Sequence, residues 1–356
     1  MLLGNTKKGG SAMGKTVLIV AYVFFLTLGI SQTSHSQSPA SHTLIGTPKT
    51  IHWGYYSSRI DPALKINAGD TVTITTPHGL ASVYQAGGIP PEQISQNLKD
   101  IEKEVKDRGP GPHILTGPIF VNGAEPGDVL EVHIQDIKIT APFGYNTNWI
   151  NMGALPEDFP YTAFRILKMD LEKMTTEPIP GVVIPLRPFF GSMGVAPPPQ
   201  LGKISSAPPG VHGGNIDLKE LVAGTILYLP VHVKGALFSV GDPHGVMGDG
   251  EVCLSALEAA EMKGTFKFMV RKNARILWPR AETPTHFITL GLNEDLDLAA
   301  KMAIREMINY LSEEKKISRE QAYMLCSLAV DFRVTQLVDG VKGIHAMLPK
   351  NILTQK

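Results

Sequence analysis

Cysteine is scarce. The chain of 356 residues holds two, Cys253 and Cys326. A scaffold built on several disulfides is therefore excluded, and the single bridge that two cysteines allow cannot be inferred from their spacing. Free cysteines usually pack as small hydrophobes, which is the expectation for both. Excess charge is lacking too. Lysine plus arginine equals aspartate plus glutamate, at 33 each, so no large field draws the protein to nucleic acid or anionic lipid. Hydrophobic residues reach 43% and charged residues 19%, which fits a globular chain and excludes a disordered one.

Long apolar runs are lacking except in one place. The stretch from Thr16 to Ile30 is apolar, with Lys7, Lys8 and Lys15 before it and small polar residues after it to Ser41. This pattern reads as a signal peptide over residues 1–36, with Met13 as an alternative start. A membrane span needs about 20 apolar residues, so an uncleaved anchor is the weaker reading. The expectation is an exported protein, periplasmic or extracellular, that has no membrane contact once the leader is removed.

Glycine and proline are abundant, at 35 and 27, and favour turns over long helices. A turn-then-strand unit recurs. Ala68-Gly69-Asp70 leads into Thr71–Thr75, Pro126-Gly127-Asp128 into Val129–Ile134, and Ala223-Gly224 into Thr225–Leu229. Val72 and Ile74 should share one strand face, and Leu130, Val132 and Ile134 another. The reading is a mainly β, α+β protein with a β-sandwich-like core over residues 37–290. The proline-rich stretch from Glu177 to Gly214 should hold no long helix and should form a functional loop. A helical portion over residues 291–356 should pack on the core. Its first helix is capped by Asn293 and runs to about Lys315, with Leu296, Ala300, Ala303, Met307 and Leu311 on one face. Ser318 and Gln321 form a capping box for a second helix through Ala329.

The densest set of candidate ligands lies between Val240 and Glu251. Asp242 and His244 stand two apart, a spacing that points both side chains to one side of an extended segment, and Asp249 and Glu251 repeat it. Such residues suit a divalent metal such as zinc, with a carboxylate to move a proton. The competing reading is ordinary Gly-Asp turn chemistry. Asn215 and Asp217 in Gly213-Gly214-Asn215-Ile216-Asp217 form a second candidate cluster, and His78 at a strand end a third. His52 and His113 are isolated, and His232 and Glu131 read as structural or solvent-facing.

These segments resemble a known family. Gly117 to Asp128, Gly191 to Pro197, Gly213 to Asp217 and the block from Leu229 to Glu251 are similar in order and spacing to the motifs of the acetamidase/formamidase family. The resemblance covers roughly residues 45–350. It implies hydrolysis of the C–N bond of small linear amides, a divalent metal (zinc among the candidates), a small-molecule amide as partner and a homo-oligomer. It implies His244, Asp249 and Glu251 as catalytic residues, with Glu251 as general base. Asn215 and Asp242 would bind substrate, and His244, Asp217 and His78 would hold metal. Two positions depart from the pattern: Gly245 replaces an alanine, and Met247 a glutamine that would bear on small-amide preference. Rival readings are a degenerate binding protein, and a cysteine amidase using Glu251, Cys253 and Lys203 or Lys234. A blue copper site is disfavoured because neither cysteine has a histidine close behind it.

Overall fold

Two large sheets face one another. The computed structural model describes residues 38–353, so the leader expected over residues 1–36 lies outside them. Residues from Pro39 onward form one compact unit. Among the described residues the strands group into a nine-stranded sheet, an eleven-stranded sheet and a two-stranded ribbon. The middle of the nine-stranded sheet is Thr71–Pro77, Glu261–Arg271, Val129–Ile139 and Thr225–Pro230. The middle of the other sheet is Ile114–Asn122, Ala236–His244 and Phe189–Gly194.

Alternation drives this packing. In Glu261–Arg271, Met262, Gly264, Phe266 and Phe268 are buried, while Glu261, Lys263, Thr265 and Lys267 are half-exposed. A strand with that pattern must lay one face on an apolar layer. The layer comes from the other sheet. Phe190 lies 5.7 Å from Phe266 and Phe238 lies 5.2 Å from Phe268, centroid to centroid. Val72, Ile74, Leu130, Val132 and Ile134 join the same core, as their alternation predicts. The region from Glu177 to Gly214 contains short strands and one 3-10 turn. It is not a free loop, because Phe189–Gly194 pairs along Ala236–His244.

The C-terminal segment differs in detail from its expectation. Its first helix is Leu296–Lys315, and the cap is Asp295, whose side chain accepts from the Leu298 N–H. Asn293 ends the preceding strand and instead accepts from the Asp295 N–H at 2.9 Å. The second helix, Arg319–Ala329, carries the expected Ser318–Gln321 capping box. Both helices lie between strands of the nine-stranded sheet, so a boundary at residue 290 falls inside the strand His286–Asn293. The helix presses closely on that strand: a methyl on Gly291 would stand 1.9 Å from the Ala299 carbonyl oxygen. Ala299, Ala303, Met307 and Leu311 pack with Ile344, Ala346 and Leu348. Among the described residues no helix is long and apolar enough to cross a membrane.

Candidate functional site

Segments far apart in sequence deliver ionisable side chains to one buried place. His78 follows the strand Thr71–Pro77 and is tied down by its N–H to the Ala260 carbonyl at 2.9 Å. Asp242 and His244 end the strand Ala236–His244. Glu258 pairs directly across from His244 and from Tyr145. Asp217 is placed by its N–H to the Gly191 carbonyl at 3.1 Å. Glu251 sits in a turn beside Gly250, whose N–H reaches the Thr335 carbonyl at 3.2 Å. All six residues are buried.

The distances define a connected cluster. His244 Nε2 lies 3.2 Å from an oxygen of Asp242, 3.2 Å from one of Glu258 and 3.9 Å from one of Glu251. Its Nδ1 lies 3.9 Å from Asp217. His78 lies 3.8 Å from Asp242 and 3.5 Å from Glu258, and its Nε2 is 2.9 Å from the Tyr145 hydroxyl. His113 Nε2 lies 3.8 Å from Asp242. Asn215 donates to Asp339 at 3.1 Å, which brings a loop near the C-terminus to the same place.

Close approach here depends on Gly191. A methyl at that position would fall 2.4 Å from Asp217 Oδ1, 2.4 Å from Asp242 Oδ2 and 2.7 Å from His244 Cε1. The backbone is strained at the acids themselves. Asp217, Asp242 and Glu251 all have left-handed φ, at 47°, 58° and 45°. Each such residue costs on the order of 1 kcal/mol or more, a cost that clusters where side chains must be aimed for function.

Burial splits the cluster electrostatically. The Asp217 carboxyl is pushed well above its ordinary range by burial and by Glu251. Glu251 is raised likewise by burial, against the pull of His244. Burial, with Asp242 and Glu258 nearby, lifts Asp339 to about 7. Burial disfavours charge on Asp242, but His244 and His113 outweigh it and hold that carboxyl below its usual range. His244 itself is raised, because Glu258 and Asp242 overcome its burial. His78 and His113 are lowered, mainly by burial. One side of the cluster therefore holds protons, and the other offers an ionised carboxylate and neutral imidazoles.

The donor set fits a divalent cation. His78 Nδ1, His244 Nδ1 and Glu258 Oε2 are buried polar atoms without a hydrogen-bond partner, and orphans of that kind call for a ligand or ion. Two compact sets arise within this cluster, His78 with Asp242 and Glu258, and Asp217 with His244 and Glu251, and a third lies apart from it, Glu220 with Asp249 and His345. The three residues expected as ligands, His244, Asp217 and His78, are thus divided between the first two sets.

Asp249 does not join them. It is exposed and bound to Lys219 at 2.9 Å and to Arg333 at 2.7 Å. The turn at Gly248–Gly250 and the left-handed φ of Glu251 break the extended spacing that would have aligned the two acids. Asp242 and His244 do reach one cavity, as their spacing implies. The cysteine reading finds no assembled set. Lys203 binds Asp107 at 2.7 Å, Lys234 lies 3.7 Å from Glu125, and Cys253 is contacted by Asn146. Both cysteines are free. His52 bonds Ser239, and His232 bonds the Val211 carbonyl, so both are structural. Glu131 is buried and paired with Arg271 and His133.

Sequence reasoning missed Glu258, Tyr145 and Asp339, and dismissed His113. Glu258 carried a usable signal: it is the only charged residue in the run from Val252 to Ala260. A lone acid in an apolar run is expensive unless paired or used. The others are recognisable only from the fold.

Known proteins match along most of the chain. The model of the Acetamidase/Formamidase family matches residues 49–207 and 204–355. A formamidase of Methylophilus methylotrophus is 26% identical over 298 residues, 64% of this chain and 73% of that protein. An acetamidase of Mycolicibacterium smegmatis is 30% identical over 219 residues, 45% of this chain and 53% of that protein. The chain spans 53% to 73% of the length of the curated relatives it matches. A crystal structure of an acetamidase from Bacillus halodurans superposes with TM-score 0.73 at 32% identity, covering 87% of this chain and 98% of that one. The acetamidase from Yersinia enterocolitica gives TM-score 0.75 at 27% identity, covering 90% and 95%.

Proposed function

We propose, from the premise that this chain belongs to the Acetamidase/Formamidase family, that it hydrolyses the C–N bond of linear amides to a carboxylic acid and ammonia. The observation that carries the reading is the buried cluster of His78, His244, Asp242, Glu251 and Glu258 on one cavity. His78, Asp242 and Glu258 would hold a divalent cation. The Tyr145 hydroxyl faces His78 Nε2, so a proton there leaves the Nδ1 lone pair free. Bound there, the ion would polarise the amide carbonyl and acidify water.

The remaining chemistry belongs to the chain. Glu251 lines the same cavity, 3.9 Å from His244, where it would meet a water approaching the substrate. Burial alone favours the protonated carboxyl, and a cation held beside it would favour the ionised form. Ionised, Glu251 takes a proton from that water as oxygen bonds to the carbonyl carbon, and passes it to the nitrogen as the C–N bond breaks. His244, whose Nε2 lies 3.2 Å from a carboxylate oxygen of each of Asp242 and Glu258, favours their placement by charge attraction. Asn215 steadies Asp339 at the cavity wall. Asp249 anchors the Glu251 turn through Arg333 and Lys219 and stays outside the reaction.

Ammonia release from acetamide before and after exhaustive chelation, with metal content measured alongside, tests this reading. Loss on chelation and recovery with zinc or another divalent ion supports it; undiminished turnover by the metal-free protein removes the cation. Export through the leader at residues 1–36 is part of the same proposal, supported by its charge and apolar pattern. An intact N-terminus on protein recovered from the producing cells would contradict it.

A further inference from the structure

The cavity that holds the cluster has a volume of about 610 Å³. That lies within the range of about 300–1,000 Å³ typical of sites for ligands of many heavy atoms. Acetamide would occupy a small fraction of it. The lining is also unequal. His78, Asp242, His244, Glu251 and Glu258 are linked by contacts of 3.2 Å to 3.9 Å, and Trp149, Met152 and Leu254 add apolar side chains to the same wall. Among the described residues no lysine or arginine lines it, so the wall offers no ammonium or guanidinium to pair with an anionic group at the far end of an acyl chain.

These apolar side chains are held in place. Trp149 and Met152 belong to the connection between strands Phe143–Asn148 and Ala163–Asp170. The Met152 N–H closes a turn onto the Trp149 carbonyl at 3.0 Å, and the Ala154 N–H binds the Val252 carbonyl at 2.9 Å. Val252 adjoins Glu251, so the connection is fastened beside the proposed base. Trp149 and Met152 remain 47% and 46% exposed, which leaves apolar surface for a ligand to cover.

We infer that the substrate is a neutral primary amide whose acyl group is apolar and several carbons long. This rests on the amidase reading above: ammonia release requires an unsubstituted nitrogen, so the apolar group lies on the acyl side. Each methylene covered by Trp149, Met152 and Leu254 should raise kcat/KM about threefold, or on the order of 10²-fold between acetamide and hexanamide.

The experiment measures kcat/KM for acetamide, butyramide, hexanamide and the monoamide of adipic acid, with wild type, Trp149→Ala and Met152→Ala. The inference expects a rise with chain length, and a hexanamide-to-acetamide ratio that falls at least fivefold in each variant. It also expects the anionic monoamide to be disfavoured at least tenfold against hexanamide. A flat or falling series, or a ratio that neither variant moves, overturns the inference while leaving the amidase reading intact. Ammonia from none of the amides, by folded protein loaded with zinc, overturns both.

Discussion

Replacing Gly191 by alanine should damage the site through one methyl group. That methyl would stand 2.4 Å from oxygens of both Asp217 and Asp242 and 2.7 Å from His244 Cε1. Cβ contacts under 3.0 Å are essentially never seen, so each oxygen must retreat by at least 0.6 Å (3.0 less 2.4). Gly191 does not adopt a left-handed φ, so the backbone accepts alanine without strain and the effect is steric. Functional constellations tolerate displacements of about 0.5 Å, and about 1 Å can cost on the order of 10²-fold. The expected loss in kcat/KM for amide hydrolysis is therefore between about tenfold and 10²-fold. Overpacking should add about 1–3 kcal/mol of destabilisation, read from a denaturant melt. Gly248→Ala is the control, because nothing lies within 4 Å of its added methyl and its φ is not left-handed. Wild-type kcat/KM in a folded Gly191→Ala protein, or an equal loss in Gly248→Ala, would refute the reasoning.

Other expectations follow from the same structure. Arg333→Met strips the cation from buried Glu220, bonded at 2.8 Å, and from Asp249, so it should destabilise by about 3 kcal/mol in urea melts. Adding Glu220→Gln to that variant should recover part of the loss; no loss at all would show the bridge to be inconsequential. Burial lowers His52 to about 4 and His212 to about 3, so both stay neutral in the folded chain where unfolded histidines, near 6.5, take up protons. The unfolded state then binds more protons between those values. Stability should be full above pH 6.5 and fall as the pH drops toward 4, with a slope approaching about 1.4 kcal/mol per pH for each of the two histidines. Denaturation midpoints unchanged between pH 7 and about 4.5 would contradict this. Cys253→Ala should leave ammonia release within twofold of wild type, whereas abolished turnover would revive a cysteine nucleophile.

The fold was legible where a local rule governs it. Alternation in Thr71–Pro77 and Glu261–Arg271, and Ser318 with Gln321 before an apolar face, each states its own structure. The cap was misplaced by two residues because Asn293 and Asp295 are both good caps, and only the strand ending at Asn293 decides between them. The membership of the sheets was hidden, since pairing of Phe189–Gly194 with Ala236–His244 is a long-range event. The site followed the same division. Asp242 and His244 were readable as a pair because a strand carries both. Asp249 was misjudged because a turn and a left-handed Glu251 intervene. His113, Tyr145 and Asp339 reach the cavity from three other segments that no spacing connects.

Glu251→Gln offers the most direct test of the central claim, since it removes the proton-carrying oxygen while keeping the shape of the side chain. With the protein loaded with zinc and its melting curve unchanged, ammonia release should fall by about 10²-fold to 10⁴-fold. Turnover at the wild-type rate in that variant would contradict the account.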